Sequence, residues 1–433
     1  MEDSELYTIT TNYVGPRRYL FNLATWKNGS AFKGVKLSEE GMPIIKIAEL
    51  NNGISESTSR TKECFPEDIH LRKGDFVFSW SGNPETSIDI FRYNLPEGWL
   101  NQHIFKITVN EQLIDRDFFY YLMKFIKPNF KQIASNKQTT GLGHVTIADL
   151  KAISVIIPER TIQEGIGRIL KCFDDKIALN NRINHNLEEQ AQALYKSWFV
   201  DFEPFKDVEF VDSELGMIPK GWRVGHIEEL ISDTYNGDWG KDEETGAFVK
   251  KVFCIRGADI PSIRVGNSGK MPTRFIQEKH FQTKYLKDND IVVEISGGSP
   301  TQSTGRFCRV TEELIRRYDN SLICTNFCKA LRPKDGCSIY VSYLWNDLYE
   351  RGIMFSYENG TTGIKNLDLN GLLLGELIVI PDRKTMSAFS DIVSSLNQQA
   401  LFNGHESEKL SYQRDTLLPK LMSGEISESF LTC

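Results

Sequence analysis

The residues best suited to touch a ligand fall in short polar loops that occur twice along the chain. The first loop carries Ser79, Trp80, Ser81, Asn83 and Thr86, and its later counterpart carries Ser299, Thr301, Gln302 and Ser303. Each follows an apolar strand-like run, DFVFSWSG at 75–82 and DIVVEISG at 290–297. The second loop carries Lys137, Gln138, Thr139 and Thr140, matched by Asn359, Thr361 and Thr362 with Lys365 close by. Hydroxyls, amides and ammonium groups on such turns can make directional hydrogen bonds to polar edges or anions. Ordinary surface turns have the same composition. Arg306 and Arg309, followed by Arg316 and Arg317, form the densest basic run of the second half, which suits either an anion or plain solvation.

Nothing near these loops has the pattern of bond-making machinery. There is no Asn/Asp-Pro-Pro-aromatic tetrapeptide of the kind used to methylate adenine, and no HExxH among the seven histidines. The stretch GNSGK at 266–270 is too short for a phosphate-binding Walker loop, and Ile295–Ser299 lacks the spacing of a cofactor loop. No Glu-x-Lys follows the Asp290 strand to suggest a nuclease metal site. Cys308, Cys324, Cys328 and Cys337 cluster without the spacing of a zinc finger or ribbon, so reduced and mostly buried thiols are expected, with no metal. The expectation is a chain without a catalytic site or a cofactor of its own.

Composition adds bounds. Hydrophobic residues make up 40% and charged residues 25%, as in ordinary globular proteins. No apolar run approaches the ~20 residues that span a bilayer, and the acidic start MEDSELYTIT does not resemble a secretory signal. A cytoplasmic protein with no membrane partner is expected. The net charge is −7, yet residues 1–158 hold 18 basic and 18 acidic side chains and residues 219–382 hold 21 and 22. The excess acid lies elsewhere, so affinity for a polyanion would have to come from local patches.

The elements that position these loops are themselves duplicated. Apolar, small or amide residues recur with alternating spacings of four and three at Ile166, Leu170, Phe173, Ile177, Asn180, Asn184, Leu187, Ala191, Leu194 and Trp198. That is the seam of a coiled-coil helix. The same pattern returns at Phe389, Val393, Leu396, Ala400, Asn403, Ser407, Leu410, Arg414, Leu417 and Leu421, every position shifted by 223 (389 − 166). Pro158 and Pro381 obey the same shift. Upstream, GLGHVTIADLKAISVIIP at 141–158 resembles GIKNLDLNGLLLGELIVIP at 363–381, and DSEL at 3–6 recurs at 212–215. The aromatic helices expected at 115–126 and 339–352 read as core.

Each seam helix of roughly 35–40 residues would span ~50–60 Å and must bury its stripe, most simply against the other copy. Parallel and antiparallel pairings are both topologically open. Antiparallel pairing would set Asn180 against Ser407 and Asn184 against Asn403, a polar layer that fixes register at some cost in stability. The alternative is a solvated break in the seam.

Two dissimilar globular segments, each followed by a long helix, resemble the DNA specificity subunit of type I restriction-modification systems. LYKSWFVDFEPF (194–205), SELGMIPKGW (213–222) and RDTLLPKLMSGEI (414–426) are similar to characteristic regions of that family, and the resemblance covers nearly the whole chain. The first half departs from it, with Val14-Gly15-Pro16-Arg17-Arg18 where the second has Pro219-Lys220-Gly221-Trp222. The resemblance implies an α+β fold with two tandem target-recognition domains joined by two long helices forming an antiparallel coiled coil. It divides the chain into target-recognition domain 1 (1–158), spacer helix 1 (159–203), a linker (204–218), target-recognition domain 2 (219–382), spacer helix 2 (383–424) and a tail (425–433).

It further implies that each domain reads half of a bipartite, asymmetric site on double-stranded DNA, which makes the loop residues and arginines above the candidate DNA contacts. The helices would dock two methyltransferase subunits, which bind S-adenosylmethionine, and through them motor-nuclease subunits that use ATP and Mg. Heads on one side of the duplex would sit near one helical turn apart, ~34–36 Å, and fixed tethering would multiply two weak affinities. A scaffold that binds proteins with both domains is the competing reading.

Overall fold

The computed structural model describes residues 8–426 except 10, 139–140, 299–301 and 361–363. The chain forms two compact units. One is built from the chain up to Asp175 together with the chain from Ser411 onward, the other from Lys176–Leu410.

In the first unit a four-stranded antiparallel sheet has the order Ala24–Asn28, Ile104–Val109, Phe76–Ser79, Asp89–Arg92. A second sheet of five short strands adds Leu37–Ser38, Arg60–Thr61, Met42–Ile45, Gly98–Leu100 and His70–Leu71. The helix Arg116–Phe125 starts where the Asp115 carboxylate accepts from the Phe118 amide at 2.9 Å, and it buries Phe118, Phe119, Tyr121 and Leu122. Aromatic residues on that helix therefore serve the core, as periodicity suggests. The strand Arg17–Tyr19 pairs antiparallel with Ser154–Ile156 and closes the unit.

The second unit repeats this plan. Its four-stranded sheet runs Ile231–Asn236, Cys328–Pro333, Ile291–Glu294, Phe307–Arg309. In chain order that is first, last, second, third, as in the first unit. A three-stranded sheet joins Thr273–Gln277, Phe248–Ile255 and Leu322–Cys324. Arg223–His226 pairs with Leu377–Ile380 as Arg17–Tyr19 does with its partner, so the different opening motif of the first half leaves the closure unchanged.

The long helices run Arg160–Phe199 and Arg383–Ser423. The first stops four residues short of the expected 203. Phe202 takes a left-handed conformation (φ 52°), through which a right-handed helix does not continue, and a short 3-10 helix Glu203–Phe205 follows. The helices are not free-standing spacers. Ile166 and Leu170 are wholly buried in the first core beside Leu421 and Met422, while Ala191, Tyr195, Phe199, Phe389 and Val393 belong to the second core. Phe389 is packed against Tyr195, Phe199 and Tyr343 with ring centroids 4.9–6.2 Å apart, a contact set whose loss on truncation would cost about 3–5 kcal/mol.

Within the second unit the helices are antiparallel. Lys176 meets Glu406 at 3.0 Å near one end, and Phe199 meets Phe389 near the other. Between them Asn180 donates to the Ser407 hydroxyl at 3.2 Å, and Asn403 donates to the Asn184 side-chain oxygen at 2.9 Å. All four side chains are buried. In the first unit Asp174 pairs with Arg414 at 2.6 Å, so the seam position held by Arg carries its own counter-charge. The remaining seam residues Phe173, Ile177, Leu187, Leu194, Trp198, Leu396, Leu410 and Leu417 are half-buried. No helix among the described residues is long and apolar enough to cross a membrane.

Candidate nucleic-acid interface

Strand direction decides where the loops gather. In the first unit Phe76–Ser79 and Ala24–Asn28 both lie antiparallel to Ile104–Val109. The chain leaving Asn28, the chain leaving Ser79 and the chain entering Ile104 therefore emerge at one end of the sheet. Trp80 ties them together. Its indole nitrogen donates to Asn28 Oδ1 at 3.0 Å, its amide donates to the His103 carbonyl at 3.3 Å, and its ring stacks on Phe105 with centroids 5.6 Å apart. Ser81-Gly82 then pairs with Gly143-His144, which brings the end of the second polar loop to the first.

The second unit builds the same frame from different side chains. The Ile295 amide donates to the Phe327 carbonyl at 2.9 Å, where Trp80 donates to His103. Val145 donates to the Trp80 carbonyl at 2.8 Å, and Leu367 donates to the Ile295 carbonyl at 2.9 Å. Ser296-Gly297 pairs with Lys365-Asn366. Asn28-Gly29 and Asn236-Gly237 occupy matching strand ends, and a side chain on either glycine would collide with a backbone carbonyl, of Asn101 at 2.2 Å or Thr325 at 2.0 Å. Sequence reading missed this Asn-Gly pair, although it recurs at one offset of 208 (236 − 28).

The individual candidates divide into framing and exposed groups. Ser79 is wholly buried at the strand end, and Ser81 is half-buried in the paired segment. Asn83 is exposed but shapes its turn by accepting from the Glu85 amide at 2.9 Å, and the exposed Thr86 accepts from Asn51 through its carbonyl. Lys137 is held by Asp149 at 2.5 Å, and Gln138, beside it, is exposed. Gln302 and Asn359 are exposed, whereas Ser303 is buried. Lys365 pairs with Glu358 at 2.8 Å, and Glu358 also accepts from the Thr304 hydroxyl at 2.9 Å. Thr139, Thr140, Ser299, Thr301, Thr361 and Thr362 lie outside the described residues.

The basic run does not form one patch. Arg306 grips Glu294 through two bonds of 2.7 Å, and Glu294 is 5% exposed, so this guanidinium compensates an internal carboxylate. Arg309 is separated from it. It donates to Asn289 at 2.9 Å and lines a recess of about 640 Å³ with Arg264, Tyr343 and Asn346, where burial pushes its pKa down. Arg316 and Arg317 each reach a glutamate one helical turn back. Alternation along a short strand turns charges inward as readily as outward, which periodicity alone does not reveal.

Burial also dominates the cysteine cluster. It pushes the Cys254 and Cys328 thiols up to about 12 and raises Cys308 and Cys324 as well. Among the described residues no group of three or more His, Cys, Asp or Glu side chains could hold a metal ion.

Residues 19–189 match the family model described as the type I restriction modification DNA specificity domain. The chain is 27% identical over 392 residues to the type I restriction enzyme MjaIX specificity subunit of Methanocaldococcus jannaschii, a match covering 83% of this chain and 84% of that one. It is 26% identical over 427 residues to the HindI specificity subunit of Haemophilus influenzae, covering 82% and 87%. The crystal structure of the type I restriction-modification S subunit from M. genitalium superposes with a TM-score of 0.54 at 16% identity, over 95% of this chain and 99% of that one.

Proposed function

Because the chain belongs to the specificity subunits of type I restriction-modification systems, we propose that it is the non-catalytic reader of such a complex. Each unit contributes one head that reads half of a bipartite, asymmetric site on double-stranded DNA. The long helices dock two methyltransferase subunits, and motor-nuclease subunits join through these. S-adenosylmethionine, ATP and Mg belong to those partners, and the assembly works in the cytoplasm, where its DNA is.

One observation carries this reading. The loop frame at the end of each four-stranded sheet is built from repeat-related backbone hydrogen bonds, yet the side chains it presents differ: Trp80 and His103 in one, Ile295 and Phe327 in the other. Equal frames with unequal side chains are what two readers of different half-sites require, since base contacts specify and the scaffold only positions. The exposed members Asn83, Thr86, Gln138, Gln302 and Asn359 are the candidates for base or phosphate contact. Docking of two methyltransferases rests on the likeness to type I specificity subunits.

Methylome sequencing of cells carrying this gene with its methyltransferase partner tests the reading. The expected product is one methylated motif with two specified halves and a fixed gap. A methylated motif without a fixed gap overturns it.

A further inference from the structure

One difference between the two copies on the helix pair coincides with a contact between a head and a helix. The second long helix carries Gly404 and Glu408, whereas the repeat-related positions on the first (404 − 223 and 408 − 223) carry Asn181 and His185, both exposed. Glycine inside a helix costs about 1 kcal/mol relative to alanine, so its presence calls for a packing reason. That reason is the segment Val265–Ser268 of the second head, which approaches so closely that a Cβ on Gly404 would lie 2.0 Å from the Val265 carbonyl oxygen.

Polar contacts lock the approach. Glu408 accepts from the Ser268 hydroxyl at 2.8 Å and from its amide at 3.2 Å, and Arg317 lies 3.5 Å from the same carboxylate. The Tyr318 hydroxyl donates to the Ser268 carbonyl at 2.9 Å. From the first helix, Asn184 donates to the Val265 carbonyl at 3.4 Å, which ties the clamp to the buried Asn184–Asn403 pair. Arg264, just before the segment, bridges Glu188 of the first helix at 3.1 Å and Asn346 of the head at 2.9 Å.

We infer that Gly404 and Glu408 are positioning residues that hold the second head in one orientation on the helix pair, and so set the gap length the protein accepts between half-sites. None of these side chains lies in the loop frame proposed to touch DNA. Loosening the clamp should therefore leave each half-site's base preference intact while widening the range of tolerated gaps. The inference rests on the proposed bipartite reading.

The experiment uses the full chain assembled with its methyltransferase partner, on duplexes carrying both half-sites with the native gap and with gaps one base pair shorter or longer. Three variants are compared with the native protein: Gly404→Ala, Glu408→Ala and Glu408→Gln. The native complex should prefer its own gap strongly. Gly404→Ala and Glu408→Ala should reduce that preference by about tenfold, a loss of ~1.4 kcal/mol of discrimination. Glu408→Gln, which still accepts from Ser268, should keep most of it. Base preference within each half, and the melting temperature of the Glu408→Gln variant, should not change. If the native complex shows no gap preference, the bipartite reading itself fails. If it does, and both alanine variants keep the native gap preference, the clamp does not set the gap and the inference is overturned.

Discussion

Asn184 and Asn403 should behave as one energetic unit. Replacing Asn184 by alanine leaves the Asn403 amide, which donates to it at 2.9 Å in a buried seam, without its acceptor. A buried donor stranded in this way costs about 1–3 kcal/mol, and loss of the 2.8 Å bond from Asn184 to the Ala400 carbonyl adds about 1 kcal/mol. Replacing Asn403 strands the Asn184 oxygen instead, again about 1–3 kcal/mol, since Gln399, its other partner, is exposed and returns to water. The double variant loses the shared bond only once. Its cost should fall short of the sum by about 1–2 kcal/mol, the coupling expected of contacting residues. For a unit spanning Lys176–Leu410, each kcal/mol moves the melting temperature by ~2–4 °C, so Asn184→Ala should melt roughly 4–16 °C lower and Asn403→Ala roughly 2–12 °C lower. Calorimetry on the full chain, following the transition of that unit, reads this directly. Costs that simply add, within about 0.5 kcal/mol, would refute the claim that the two amides form one layer.

Arg306→Gln should strand the nearly buried Glu294 and destabilise the second unit by about 3 kcal/mol, while the salt dependence of DNA binding stays unchanged. A flattened salt slope with an unaltered melting temperature would return Arg306 to the DNA surface. Asp149 titrates under opposed influences: burial pushes its carboxyl up, but Lys137 and Thr146 outweigh this and hold it below the usual range. A carboxyl depressed by folding stabilises the native state above its unfolded pKa of about 4, and that contribution disappears as pH falls through the folded value. Asp149→Asn should accordingly lower the melting temperature at pH 7 and have less effect near pH 3, in a melting series across that range. Native protein treated with a maleimide should be labelled at the exposed Cys64 and Cys172, while Cys254, Cys308, Cys324 and Cys328 react only after unfolding, as peptide mass spectrometry would record.

The seam was legible because helical periodicity is a local property that a duplicated sequence displays twice. The positions from Ile166 to Trp198 and from Phe389 to Leu421 are all buried or half-buried. The closing strands and turns were legible for the same reason, through the similarity of 141–158 to 363–381. What the sequence hid depends on partners distant along the chain. Nothing in DIVVEISG says that Glu294 turns inward to meet Arg306, because a charge on a strand suits a wet face equally well. Nothing in Gly404 alone announces the carbonyl of Val265. The end of the first helix was blurred because apolar residues continue past Phe199, at Val200 and Phe202, where the backbone turns left-handed. The loops were located correctly as repeats, but which side chains frame them and which face outward depended on Trp80 bonding to Asn28, a contact spanning 52 positions.

The polar layer also explains how a duplicated chain can hold two unlike globular units. Asn180 and Asn403 are the same position of the repeat, as are Asn184 and Ser407 (each 223 apart). Exchanging the two copies therefore turns the contact Asn180–Ser407 into the contact Asn403–Asn184, and both exist, at 3.2 and 2.9 Å. An antiparallel pairing at this register maps onto itself. Slipping either helix by a heptad would set an amide against an apolar side chain and leave buried polar atoms unpaired, at about 1–3 kcal/mol each. Duplication alone would thus give two equivalent helices with one preferred alignment. Gly404 and Glu408 depart from that equivalence without touching the seam's own hydrogen bonds, so the head they hold can be placed independently while the register of the helices stays the same.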